Sequence, residues 1–263
     1  MSHELLFGIN SVDAALSHDP GNIVELFIET GTTNARLKEL SERARDLGVK
    51  PHGRTRELLD RMTGGARHQG VVAQYRAAPP RTENDLKELV EAAGRDALVV
   101  VLDGVTDPHN LGACLRSAEA AGATAVVVTK DKAVGITPIV RRASAGAADR
   151  VPFIAATNLA RTLRSLKDMG VWLVGLAGDV EADFYGVDLA GPIALVIGSE
   201  GEGLRRLTRE QCDFLVRIPM RGSVESLNVS VATGVTLFET LRQRAARKIA
   251  SARALVASAL DGC

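Results

Sequence analysis

Apolar residues along this 263-residue chain come in two patterns. Short unbroken runs at 97–102, 125–128, 171–174 and 193–197 lack the alternation of a half-exposed strand. They read as strands buried on both faces. Interrupted runs at 151–154 and 214–218 complete the set. Between them, apolar positions recur at helical spacing over 111–121, around 137–147, and over 158–169 with Asn158 as a plausible cap. A long helix follows from about 226 to 250. This alternation predicts an α/β fold with a mainly parallel sheet and helices on each side.

The first 76 residues read as a separate, small α/β unit. Residues 23–28 and 71–75 have strand character. A helix over 35–48 carries Leu37, Leu40, Ala44 and Leu47 on one face, with Gly48 as its stop. A second, short helix spans 56–62, and 63–70 is a Gly-rich loop. Residues 77–84 then hold Pro79-Pro80 followed by polar positions, which places a linker and the domain boundary there. The expected division is 1–76, a linker and leading helix over 77–95, a larger domain over 96–250, and a tail over 251–263 that either extends the last helix or frays.

Composition narrows the function class. With 46% apolar residues, a sizeable core is available. The 32 basic and 32 acidic residues cancel. That argues against a broad nucleic-acid clamp but leaves room for local Arg clusters. Arg outnumbers Lys, which suits bidentate phosphate or carboxylate contacts, although genome composition explains it equally. Cys114, Cys212 and Cys263 are widely spaced and odd in number, so they make no metal pattern and no even-numbered disulfide framework. No metal site is expected. The polar start and the lack of a long apolar window point to a cytoplasmic protein with no membrane association.

Three polar loops follow apolar runs, as a composite site at strand ends requires. In Gly198-Ser-Glu-Gly-Glu-Gly203 the spacing fits neither a Walker loop nor a dinucleotide fingerprint, and two carboxylates would repel a pyrophosphate. It suits either backbone approach to a neutral or cationic ligand or a tight turn with no ligand. In Asp107-Pro-His-Asn-Leu-Gly112, Asn110 is either a helix cap or a site residue. Arg116, further along that helix, either reaches the strand ends or lies on a solvated face. His109 has acid–base potential by residue type but reads as a contact rather than a base. The third loop leads from Ile218 through Ser226 and Asn228 into the last helix. No His–Asp pair or serine elbow accompanies Ser223, Ser226 or Ser230, so a hydrolase gains no support.

These loops, in this order, resemble the three motifs of the SpoU/TrmH (SPOUT) family of RNA ribose 2′-O-methyltransferases. Asp107-Pro-His-Asn-Leu-Gly-Ala-Cys-Leu-Arg116 is similar to the first motif and Ile197-Gly-Ser-Glu-Gly-Glu-Gly-Leu204 to the second. Ile218-Pro-Met, with Ser226-Leu-Asn-Val-Ser-Val-Ala232, is similar to the third. The resemblance extends to residues 7–16 and His68-Gln-Gly-Val-Val72. These look like the substrate domain of a branch that methylates one guanosine in the P loop of 23S rRNA.

That resemblance implies a trefoil-knotted catalytic domain, an L30e-like N-terminal substrate-binding domain, S-adenosylmethionine as cofactor, and a homodimer joined through the last helix and the first motif's helix. By position it implies Gly198, Ile218 and Leu227 at the cofactor, and Asn110, Arg116, Glu200, Ser226 and Asn228 as the catalytic set. Glu200 is expected to fix Asn110 or Arg116. In the N-terminal unit Arg54, Arg56, Arg61, Arg67 and His68 are candidate RNA contacts, with Arg141-Arg142 a second phosphate site. No DNA partner is expected. The rivals are a relative acting on tRNA or another rRNA site, and a catalytically silent ribosome-assembly protein.

Overall fold

The computed structural model describes residues 3–18, 20–76, 81–131 and 133–260. The chain forms two compact units, one within Met1–Pro79 plus Ile136–Arg150, the other within Pro80–Gly135 plus Val151–Cys263.

In the first unit β1 (His3–Phe7), α1 (Ile9–His18), β2 (Ile23–Glu29), α2 (Ala35–Asp46), β3 (Pro51–Arg54), α3 (Arg56–Met62) and β4 (Val71–Arg76) follow in order. The sheet runs β1-β4-β2-β3, antiparallel except for the β2–β3 pair. One face buries Leu6, Leu26, Ile28, Val71 and Ala73 against Val12, Leu16, Leu37 and Leu40 of α1 and α2. The other carries a smaller cluster of Phe27, Val72 and Leu59, with Phe7 and Met62 against it. Neither β1 nor α1 stands out by periodicity, because β1 spends two of its five positions on His3 and Glu4. Tertiary contacts define them: Gln69, at φ +55°, turns its Oε1 to accept the first N–H of α1, from Ile9, at 3.1 Å.

The second unit begins with α4 (Glu83–Ala93), held by a capping box between Thr82 and Asp85. β5 (Leu98–Asp103), α5 (Pro108–Ala120) and β6 (Ala125–Thr129) follow. Residues 136–150, expected in the larger domain, pack with the first unit instead. The helix expected over 137–147 is shorter there: α6 (Pro138–Ala143) stops before Ala145 and Gly146, whose φ values of +51° and +87° no helix accommodates. A Cβ on Gly146 would lie 2.8 Å from that of Ala14, so this turn needs glycine twice over.

The chain then forms β7 (Phe153–Ala156), α7 (Leu159–Asp168), β8 (Trp172–Leu176), β9 (Ile193–Gly198), α8 (Arg206–Arg209), β10 (Phe214–Val216) and α9 (Val229–Leu260). The strand order is β10-β8-β9-β5-β6-β7, and every pair is parallel. Val99, Val101, Val127 and Val196 face Leu86 and Val90 of α4 and Leu159, Leu163 and Leu166 of α7. The intervening residues of β5 are equally buried and point the opposite way, toward the side of α5 and α9. The sheet grows from β5 to β6 and β7, then resumes on β5's other edge. That reversal between β5 and β9 is where open parallel sheets leave a crevice at their carboxyl ends.

α9 is anchored at the opposite end of the sheet. The Arg244 guanidinium donates to the carbonyls of Asp96 (2.7 Å), Ala97 (2.9 Å) and Gly191 (2.8 Å), just before β5 and β9. Buried Thr233, Thr236 and Thr240 return their hydroxyls to carbonyls four residues back, so a polar stripe enters the core fully paired. Among the described residues no helix is long and apolar enough to cross a membrane.

Candidate functional site

β9 ends in Gly198, and the chain then folds back on itself. Ser199 and Gly203 exchange backbone hydrogen bonds of 3.2 and 3.0 Å. A Cβ on Gly198 would sit 2.1 Å from the carbonyl carbon of Gly203, so only glycine permits this closure. Two residues later Arg205 ties the loop to the neighbouring strand. Its backbone N–H reaches Asp103 Oδ2 at 3.0 Å, and its Nε pairs with Oδ1 at 3.3 Å. The Asp103 side chain is fully buried at the end of β5, in register with Gly198.

The loop before α5 resolves the ambiguity about Asn110. Asp107 is the cap, accepting the His109 N–H at 2.8 Å, and Pro108 takes the first helical position. Asn110 is therefore released from capping. Its Nδ2 donates to Glu200 Oε1 at 3.2 Å, while its Oδ1 accepts from Asn228 Nδ2 at 3.0 Å. Asn228 Nδ2 also donates to Glu200 Oε1 at 2.6 Å, and the Val229 N–H points to the same oxygen at 3.4 Å. The remaining oxygen of Asn228 accepts from the backbone and hydroxyl of Ser230, capping α9. The last helix accordingly starts at 229 rather than 226. Glu200 thus fixes Asn110, as expected, with Asn228 rather than Arg116 as its second partner. A carboxylate at a helix N-terminus, facing three N–H donors, is electrostatically settled.

Beside this node lies a cavity of about 790 Å³, in the range of small-molecule sites. Its walls come from the ends of β8 (176–179), β9 (197–204) and β10 (217–227). Gly198, Ile218 and Leu227 all line it, as do Glu200 and Ser226. Asn110 and Asn228 stand behind Glu200. Arg116 is exposed and makes no hydrogen bond or ion pair with any described residue. It lies six residues beyond Asn110, about 9 Å along the helix and roughly 240° around it, so it does not share Asn110's face. The sequence reading missed the wall after β8, where Leu176, Ala177 and Gly178 carry no reactive group. Their only signal is smallness at a strand end.

The lining mixes apolar side chains with four carboxylates, Asp179, Glu200, Glu202 and Glu225, against two guanidiniums, Arg209 and Arg217. Arg209 donates to Asp179 at 2.8 Å, and this bond holds the Asp179 carboxyl below the usual range. Burial pushes the thiols of Cys114 and Cys212 up to about 11 and about 12, so neither is a nucleophile at neutral pH. Cys263 lies outside the described residues. Among those residues no cluster of His, Cys, Asp and Glu is placed to hold a metal.

In the first unit the candidate RNA contacts separate. His68 is buried rather than a surface charge: its Nδ1 accepts the Gly70 N–H at 3.0 Å, which leaves Nε2 facing Asp60 at 2.9 Å. Arg56 pairs with Glu29 at 3.4 Å, and Arg141 is paired with Asp149 in a largely buried contact. Arg61, Arg67 and Arg142 are exposed, and Arg54 is partly so.

Residues 97–238 match the model of the SpoU rRNA methylase family, and residues 5–81 match a domain described as RNA 2′-O ribose methyltransferase substrate binding. A protein of Xanthomonas campestris named 23S rRNA (guanosine-2′-O-)-methyltransferase RlmB is 57% identical over 92% of this chain and 97% of its own. One of the same name from Photobacterium profundum is 50% identical over 93% and 99%. The crystal structure of the SpoU methyltransferase AviRb from Streptomyces viridochromogenes in complex with the cofactor AdoMet aligns at TM-score 0.75 and 27% identity, covering 93% of this chain and 91% of that one. With both of its parts matched and residues of the three loops joined by hydrogen bonds beside the cavity, the chain belongs to the SpoU rRNA methylase family.

Proposed function

We propose that this protein transfers a methyl group from S-adenosylmethionine to the ribose 2′-OH of a guanosine in 23S rRNA, in the P loop of the peptidyl-transferase centre. The observation that carries this reading is the joining of Asn110, Glu200 and Asn228, from three separate loops, at the rim of a cavity walled by Gly198, Ile218 and Leu227. The identity of the named relatives supports the rRNA substrate.

The cavity suits this cofactor on its own chemistry. Its apolar walls accept an adenine, the glycine-rich turn lets main-chain groups approach it, and the excess of carboxylates favours a cationic sulfonium. When bound, S-adenosylmethionine supplies an already activated methyl group. The protein has to bring a 2′-OH in line with it, so that the O–CH3 bond would form as the S–CH3 bond breaks and the hydroxyl proton would be released to solvent. Backbone groups of Gly198, Ile218 and Leu227 hold the adenine and methionine portions. Asn110 and Asn228, with Glu200 between them, orient the nucleotide, and Ser226 offers a hydroxyl on the same wall. Arg116 stabilises the developing alkoxide and holds an RNA phosphate. A guanidinium stays protonated, which makes this easier than a role as base.

The reading includes a threaded crossing of residues 197–204 with residues 217–227, stretches that both contribute to the lining of the same cavity. It also includes a homodimer: Val231 and Phe238 of α9 are half-exposed large apolar residues that a second copy would cover. The first unit recognises the RNA, and the site of action is the cytoplasm. Incubation of the protein with unmodified 23S rRNA transcript and methyl-labelled cofactor tests the reading. Label should enter the RNA; cofactor binding with no transfer to rRNA would overturn it.

A further inference from the structure

We propose that the first unit grips its RNA on the sheet face opposite α1 and α2, through two arginines carried on phenylalanine rings, Arg54 on Phe27 and Arg142 on Phe7. This deepens the function proposed above and rests on it for the substrate. The geometry begins with strand register. Phe7 pairs with Val72, Val72 with Phe27, and Phe27 with His52, so these four form one row across all four strands. Residues in such a row share a face. That face is the one with the smaller apolar cluster. Neighbouring strands lie about 4.8 Å apart, which puts Phe7 and Phe27 roughly 10 Å from each other.

A guanidinium stands over each ring. The Arg54 Cζ is 5.1 Å from the Phe27 centroid, and the Arg142 Cζ is 5.7 Å from that of Phe7. Three other arginines of the unit are neutralised, Arg43 by Asp13, Arg56 by Glu29 and Arg141 by Asp149, and Arg61 and Arg67 are exposed with no ring beneath them among the described residues. Arg54 and Arg142 meet no carboxylate among the described residues; Arg54 spends one N–H on the Gly53 carbonyl at 3.0 Å. Their charge is therefore available. A guanidinium supported by an aromatic ring is positioned to fork a phosphate with its N–H edge or to stack an unpaired base. The His52 ring, 6.3 Å from Phe27, continues the row. This gives local recognition to a chain with zero formal net charge.

Arg142 lies in α6, outside residues 5–81 that match the substrate-binding model. The RNA surface is thus composite: the segment between β6 and β7 completes a face that residues 5–81 alone do not form. Its placement with the first unit then has a functional reason.

The test is filter binding of protein-free 23S rRNA transcript across a salt series, with methylation kinetics in parallel, for wild type, R54A, R142A, the double variant and R142K. Arg45, exposed on α2 on the far side of the sheet, supplies the control R45A. The double variant should bind about tenfold more weakly, with a log–log salt slope shallower by about 1–2. Its KM for RNA should rise while kcat at saturating RNA holds, R142K should recover part of the loss, and R45A should match wild type. Wild-type affinity and salt slope in the double variant would overturn the proposal, as would loss of kcat at constant KM. If wild type binds the transcript but transfers no methyl, the proposed reaction fails, while the binding series still decides this surface.

Discussion

Asn228 Nδ2 lies 2.6 Å from Glu200 Oε1, joining the loop after β9 to the first turn of α9. The same oxygen holds Asn110 from α5. One carboxylate therefore sets the relative positions of all three motif loops. Glu200→Ala leaves two amides without their shared acceptor. Because the node is solvent-exposed, water re-pairs them and the stability cost is small, about 1 kcal/mol. The rate cost is larger, on the order of 10²–10³ in kcat, as for loss of a preorganised polar group. Steady-state kinetics with calorimetric cofactor titration checks this: kcat falls by more than cofactor affinity, which also weakens because Glu200 lines the cavity.

Gly198→Ala acts on the cavity itself. The added methyl would meet backbone, not a flexible side chain, at 2.1 Å from Gly203. The turn has to open, at a cost of about 1–3 kcal/mol, and the wall it forms is displaced. The melting temperature should fall and cofactor binding should be lost in calorimetry. Unaltered cofactor affinity would show that the turn is not part of the binding wall.

Arg116→Ala should separate binding from chemistry. Arg116 does not line the cavity, so the variant keeps its cofactor affinity. Single-turnover methylation should drop by a factor on the order of 10³. Transfer at the wild-type rate would remove Arg116 from the mechanism.

The Asp179–Arg209 pair at the cavity wall predicts a pH dependence. The Arg209 hydrogen bond depresses the Asp179 carboxyl in the folded state. Such a group stabilises the fold fully above its unfolded value, about 3.9, and the contribution disappears as pH falls through the lower folded value. The difference in melting temperature between wild type and Arg209→Ala should be constant from pH 7 to 5 and shrink below pH 4. A difference that grew on acidification would contradict this assignment.

The sequence made the strands of the larger sheet legible because β5, β6 and β9 are apolar runs that burial on both faces explains, and β8 reads the same way although its Trp172 is exposed. The candidate site residues stand out only through the family resemblance, and their hydrogen bonding was not legible in the sequence. Asn110 and Asp107 compete for one helix cap, and only the Pro108 position decides it. His68 looks like surface charge by residue type, yet folding buries it behind Gly70. The wall at 176–178 is Leu176, Ala177 and Gly178, apolar or without a side chain, which leaves no chemical signature. The packing of residues 136–150 with the first unit is a long-range contact that no local pattern encodes.

The most direct test is to map, nucleotide by nucleotide, the ribose methylation this protein leaves on unmodified 23S rRNA. The account predicts a single 2′-O-methylguanosine in the P loop, formed far more slowly with Arg116→Ala at matched reaction times. Methyl on a base, or an unmodified P loop after exhaustive reaction with active enzyme, would contradict it.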